Sequence, residues 1–245
     1  VIKILDELLE QMPADPAPVR NVLAGAHWTT VCSHVCGMAS TLMGEGPHGG
    51  PQVPDAGDLC LKSAQELARR VLSDELLDAS IGMAALNSQL HIESEPVVIN
   101  AADVLARHGN GKNIAVVGHF PFVDRLRPLA RNLWVIEKRP AQGDLPEKAA
   151  EEFLPQADVI AITGTAFINH TIEGLLRLCP SKALVMVLGP STPLSKVLFD
   201  YGVDILSGAR VVDEAAALTS IQQGASLPQV RGVRLVTYTA PGFKG

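Results

Sequence analysis

The chain has 245 residues, enough for one or two domains at roughly 150 residues each, and 47% of them are apolar against 19% charged, the profile of a folded globular protein and not a disordered one. Its net charge of −6 excludes nucleic acid as an obvious partner. That charge is unevenly placed: −8 up to His108 and +2 from Gly109 onward, which divides the chain into an expected 1–108 part and an expected 109–245 part. No apolar run reaches the roughly 18 residues of a membrane span. The acidic, amphipathic opening VIKILDELLEQ is unlike a signal peptide, and with no initiator Met a little of the natural N-terminus is expected to precede it. Four cysteines in a chain this long do not make a disulfide framework, so the expected address is the cytoplasm.

In chain order, Ile2, Leu5, Leu8 and Leu9 fall at helical spacing within 1–12, and Pro13, Pro16 and Pro18 stop that helix. Two strands follow, VRNVLAGAHWTTV (19–31) and VCGMASTLM (35–43), with a break at Ser33-His34. Residues 44–58 hold five Gly and three Pro and read as a long loop. Helices are expected at 61–72 and 74–90, the second with an apolar stripe through Leu76, Leu77, Ile81, Ala84, Ala85 and Leu86. This part reads as α+β.

From Asn113 the pattern alternates. Strands are expected at 113–118, 133–137, 158–163, 183–188, 203–206 and 233–238, with helices near 121–130, 147–154, 166–178, 193–200 and 213–222. Continuous apolar strands separated by helices describe a doubly wound, Rossmann-like α/β domain with a parallel sheet. Its ligand site belongs beyond the C-terminal strand ends, where the strand order reverses.

Three segments sit at those ends. The first strand runs into Gly118-His119-Phe120-Pro121-Phe122-Val123. A dinucleotide fingerprint needs three glycines there, and only Gly118 fits. His119 is a candidate ligand, metal ligand, acid or base, while Phe120-Pro121-Phe122 also reads as a packed turn opening a helix. Glu137 ends the next strand 19 residues after Gly118, where an acid receives ribose hydroxyls in nucleoside binders. The loop after it, Lys138 to Asp144, borders the same crevice with two cations. At the third strand end, Thr163, Thr165 and Asn169 present hydroxyls and an amide around Gly164, or Thr165 simply caps a helix. At the fourth, Gly189-Pro190-Ser191-Thr192-Pro193 reads as a capped helix start with Thr192 at the N-cap, suited to a carboxylate or phosphate.

Cys32-Ser33-His34-Val35-Cys36 offers three soft or borderline ligands, with His27 and His48 nearby. It has the first half of a zinc site and lacks the second, so buried cysteines in strands compete with structural zinc. There is no Gly-x-Ser-x-Gly, no His-Glu-x-x-His and no P-loop, which removes the usual support for hydrolase, zincin and nucleotide-triphosphatase readings.

VVGHFPFV (116–123), VIEKRPAQGDLPEKAAEEFLPQADVIAITGTAFINHT (135–171) and VLGPSTPLSKVLFDYGVDILSGARVVD (187–213) resemble the heavy-metal chelation family, long carried as a domain of unknown function. CGMAST (36–41) and AALN (84–87) are similar to its N-terminal signatures. The resemblance implies a smaller enolase-N-terminal-like domain, a C-terminal Rossmann-like domain and a cleft between them. It carries no metal-ligand motif onto particular residues, and Cys32 and His34 lie outside the matching segments. The leading expectation is therefore a protein that binds a divalent transition metal, a metal chelate or a chelator precursor in that cleft. The alternative is an enzyme using a nucleoside cofactor such as S-adenosylmethionine, with Glu137 on the ribose. The opposed charges of the two parts leave pairing within one chain or in a homo-oligomer open.

Overall fold

The computed structural model describes residues 3–44, 52–90, 92, 94–97 and 100–243; Ile2, His48 and the 45–51 stretch of the expected loop lie outside them. Helix α1 (Lys3–Glu10) buries Ile4, Leu5, Leu8 and Leu9, one stripe of an amphipathic helix. The proline-rich stretch then leads into a three-stranded antiparallel sheet of β1 (Asn21–Ala24), β2 (Trp28–Cys32) and β3 (Cys36–Ser40). The single strand expected over 19–31 is thus a hairpin: Gly25 N donates to Trp28 O and reverses the chain at Gly25-Ala26-His27. A second hairpin turns through Ser33-His34-Val35, as expected, and sets Cys32 opposite Cys36. Both are buried in their strands, as one of the two readings expects, and they are disulfide-bonded to each other, a pairing the cysteine count did not suggest.

The helix expected over 61–72 breaks up. Only α2 (Ala64–Ala68) is α-helical, because Ser63 and Glu66 form a reciprocal capping box that starts a new helix there. Glu66 sits below the ordinary carboxylate range, held there by its hydrogen bonds to Ser63. Helix α3 (Leu76–Asn87) is buried on nearly every side from Asp78 to Leu86, not along one stripe, since it lies between the small sheet and the rest of the molecule. Its buried Asp78 is neutralised by Arg70 at 2.7 Å.

Helix α4 (Ala101–Gly109), which the sequence pattern did not lead us to expect, is capped by Asn100, whose side chain accepts from Ala102 N. Beyond it come β4 (Asn113–Val117), α5 (Val123–Leu126), β5 (Asn132–Glu137), β6 (Leu145–Pro146), α6 (Ala150–Phe153), β7 (Val159–Thr163), α7 (Thr165–Ile168), α8 (Ile172–Leu178), β8 (Leu184–Leu188), α9 (Val197–Asp200), β9 (Ile205–Val211), α10 (Glu214–Gln222) and β10 (Val233–Thr239). Several expected helices are shorter or divided. The one expected over 166–178 splits into α7 and α8 where His170 takes a left-handed φ of 61°.

The strands form a seven-stranded sheet in the order β10-β9-β8-β7-β4-β5-β6. Neighbours from β6 to β9 are parallel, as expected, and β10 adds an antiparallel edge against β9. Apolar residues of β7 and β8 are buried on both faces: Ile160, Ile162, Val185 and Val187 face the core shared with the small sheet and α3, and Val159, Ala161, Met186 and Leu188 face α4 and α5. The chain reverses its progress across the sheet between β4 and β7, and loops diverging from such a point leave a crevice at the C-terminal strand ends. Among the described residues, no helix is long and apolar enough to cross a membrane.

Candidate functional site

At that crevice lies a cavity of about 1260 Å³. The three strand-end segments meet on it: His119 and Phe120 after β4, Thr163, Gly164 and Thr165 after β7, and Gly189, Pro190 and Ser191 after β8. Gly118, Glu137, Asp144, Asn169 and Thr192 are not in its lining.

The turn after β4 is built to present an imidazole. Gly118, at φ 106°, lets the chain leave the strand sharply. Glu137, at the end of β5, then clamps two backbone amides: its Oε1 accepts from His119 N at 2.8 Å and its Oε2 from Lys138 N at 3.0 Å. Each of the two carboxylate oxygens expected on a ribose thus already accepts one main-chain amide. Asp144 fixes the ring itself. Its Oδ2 lies 3.0 Å from His119 Nδ1 and also accepts from Ala141 N at 3.1 Å. The Asp144 side chain is only 2% exposed, whereas that of His119 is 53% exposed. A carboxylate acceptor holds the proton on Nδ1, so the neutral ring keeps its lone pair on Nε2, the atom that binds a metal or accepts a proton. Phe120 and Phe122 stack at 5.1 Å beside it, as the packed-turn reading expects.

The other two turns spend their polar groups differently. Thr165 does not cap a helix: α7 starts from Gly164, and the Thr163 hydroxyl accepts from Thr165 N while meeting Thr165 Oγ1 at 3.0 Å. Asn169 is absorbed into a local turn, its Oδ1 accepting from Thr171 Oγ1 at 2.7 Å. The helix start expected at Thr192-Pro193 is also corrected, because α9 begins only at Val197. Thr192 is buried, with its hydroxyl unpartnered, and Ser191 Oγ accepts from Ser40 N of β3 at 2.8 Å. Lys138 pairs with Glu147 at 3.4 Å, and neither it nor Arg139 lines the cavity.

Sequence reasoning missed the opposite wall. Trp28 and Ser40 reach the cavity from the small sheet, Asn100 from the start of α4, and Ser207, Arg210 and Arg234 from the antiparallel β9–β10 pair. Arg210 and Arg234 are cross-strand partners, Ser207 Oγ meets Thr237 Oγ1 at 3.1 Å, and Arg210 donates to the Tyr238 hydroxyl at 2.7 Å. One signal was available, the pair of arginines spaced along two β-rich segments. Its meaning depended on register.

Known proteins share this two-part outline. Residues 100–240 match the sequence family DUF364, described as "Putative heavy-metal chelation", and residues 5–90 match DUF4213, a second family of the same description. An uncharacterized protein of Methanocaldococcus jannaschii is 26% identical over 179 residues, spanning 70% of this chain and 69% of its own. A DUF364-family protein of unknown function from Desulfitobacterium hafniense, known from its crystal structure, superposes with a TM-score of 0.85 at 27% identity, covering 97% of this chain and 98% of that one. Another from Pyrococcus horikoshii gives 0.82 at 19% identity over the same shares and speaks to the fold alone.

Proposed function

The chain belongs to the DUF364 family described as "Putative heavy-metal chelation", and from that premise we propose that it binds a metal chelate, or the small chelator itself, in the cavity at the strand ends. The observation that carries this reading is the His119–Asp144 pair: a half-exposed imidazole on the cavity wall, oriented by a buried carboxylate. Carboxylate–histidine pairs of this kind orient metal-binding rings and make them better donors.

The donor count argues for a chelate as cargo and against a bare ion. Metals of this class take four to six ligands. Among the described residues, the cavity holds no group of three His, Cys, Asp or Glu donors within ligating reach of one another. His119 supplies one position, and the remaining donors arrive with the cargo. The space is ample for that, since pockets for drug-sized ligands run from about 300 to 1,000 Å³. Arg210 and Arg234 in the lining suit a chelator bearing carboxylates, and Ser40, Thr165 and Ser207 offer it hydroxyls. The nucleoside-cofactor reading loses its main support, because Glu137 has both oxygens engaged outside the cavity lining.

The test is isothermal titration with nickel(II) and cobalt(II), each as the free ion and as preformed citrate and histidine complexes. The complexes should release heat with the wild-type protein, and His119→Ala should abolish it. No heat from any complex, or heat unchanged by His119→Ala, overturns the reading.

A further inference from the structure

A second cluster of ligating groups lies outside the cavity, at the hairpin joining β2 and β3. Cys32 and Cys36 face each other in register across the strands, both buried. Glu214, the first residue of α10, brings a carboxylate oxygen to them, and the two sulfurs and that oxygen all lie within 4.8 Å of one another. His34, the other candidate ligand of the motif, is exposed in the turn and is not in this group.

We propose that this cluster is a redox-gated site for one thiophilic divalent cation, distinct from the cavity and independent of its assignment. In the oxidised form the Cys32–Cys36 disulfide closes the site. Two equivalents of a small thiol reduce it: two electrons pass to the disulfide, both sulfurs gain protons, and the donor leaves as its own disulfide. Cation binding then expels the two thiol protons, and two thiolates plus the Glu214 carboxylate form three protein ligands. A fourth position stays open to water or an incoming ligand.

Four features prepare the site. The spacing Cys-x3-Cys falls within the two to four residues usual between paired zinc-binding cysteines. The turn between them is pinned, because buried Ser33 meets Ser88 Oγ at 2.7 Å and accepts from Gln89 Nε2 at 2.5 Å. A cation stands beside the cluster: Arg20 lies 2.6 Å from Glu214 while its amide donates to Cys32 O. Charge also closes. Two thiolates and one carboxylate against a divalent cation and Arg20 sum to zero, whereas two buried thiolates converging on the part-exposed Glu214 carboxylate without the cation would be unfavourable. Sulfur donors select zinc or cadmium over harder divalent ions.

The experiment is a cadmium titration of the full chain, oxidised and after phosphine reduction, read by the ultraviolet sulfur-to-cadmium charge-transfer absorption. The reduced protein should take up one cadmium per chain with that band, and the oxidised protein none. Glu214→Gln should weaken uptake by about tenfold or more, the scale on which removing a metal-site partner acts. His119→Ala should leave it unchanged, which separates this site from the cavity. Alkylation of the reduced wild-type protein, followed by peptide mass, needs no variant: cadmium should protect Cys32 and Cys36 while exposed Cys60 reacts. The proposal fails if the reduced protein shows no such band, if the band survives Cys32→Ser, or if cadmium gives Cys32 and Cys36 no protection.

Discussion

The turn after β4 and the turn after β8 start alike and end differently. Each opens on a glycine in the left-handed region, Gly118 at φ 106° and Gly189 at φ 112°, and each contributes to the same cavity. Yet the His119 side chain is 53% exposed, while Ser191 and Thr192 are 1% and 2% exposed. The difference is what lies above them. The His119 ring is held from one side by Asp144, whereas the β8 turn is pressed against the small sheet, where Ser191 bonds both the amide and the hydroxyl of Ser40. A polar residue at a strand end is thus a ligand group or a structural stitch according to its neighbour across the crevice.

The largest effect should come from breaking the stitch at its tightest point. A Cβ at Gly164 would lie 2.6 Å from Thr192 N and 2.8 Å from Ser191 C, both backbone atoms of the β8 turn. Gly164→Ala should cost about 3 kcal/mol of stability in urea denaturation. Ser191→Ala removes the acceptor of Ser40 N and should cost about 1–3 kcal/mol by the same measurement. On the open side the effects should move from stability to binding. Asp144→Asn should lower affinity for a nickel–citrate complex by about 10- to 100-fold in calorimetry, because the ring loses its orienting charge. Its midpoint in urea should fall less than that of Gly164→Ala.

The contrast between shut and open extends to single thiols and gives the smallest effect. Burial pushes the Cys179 thiol up from 9.0 to about 12. The folded state therefore keeps a proton that the unfolded chain releases above pH 9, so this group's contribution to stability is intact below pH 9 and fades as pH rises toward 12. At neutral pH Cys179 should resist iodoacetamide, while exposed Cys60 reacts, as peptide mass would report.

Which features were legible depends on the range of the interactions behind them. The apolar runs of β4, β7 and β8 announced strands covered on both faces, and the composition of their terminal turns pointed to one crevice. The hairpin inside 19–31 was hidden because Gly25-Ala26-His27 carries no strong turn pair, so small and β-branched residues read as one strand. Helix α4 had a signal that was passed over, the Asn100 cap. Thr192-Pro193 had the signature of a helix start, yet α9 begins only at Val197; packing of that segment into the core overrode local preference.

The amino-acid order by itself determined the two-part organisation of charge, the alternation of strand and helix, and the three turns that border the cavity, since each rests on residues near one another in the chain. Tertiary structure alone decided which polar groups remain available. Asp144 reaches His119 across 25 residues, Glu214 reaches the Cys32–Cys36 hairpin from the far end of the chain, and Ser40 closes over Ser191 from 151 residues away. Those pairings come from strand order and sheet packing, where a small change in register would exchange one partner for another, and no local pattern records them.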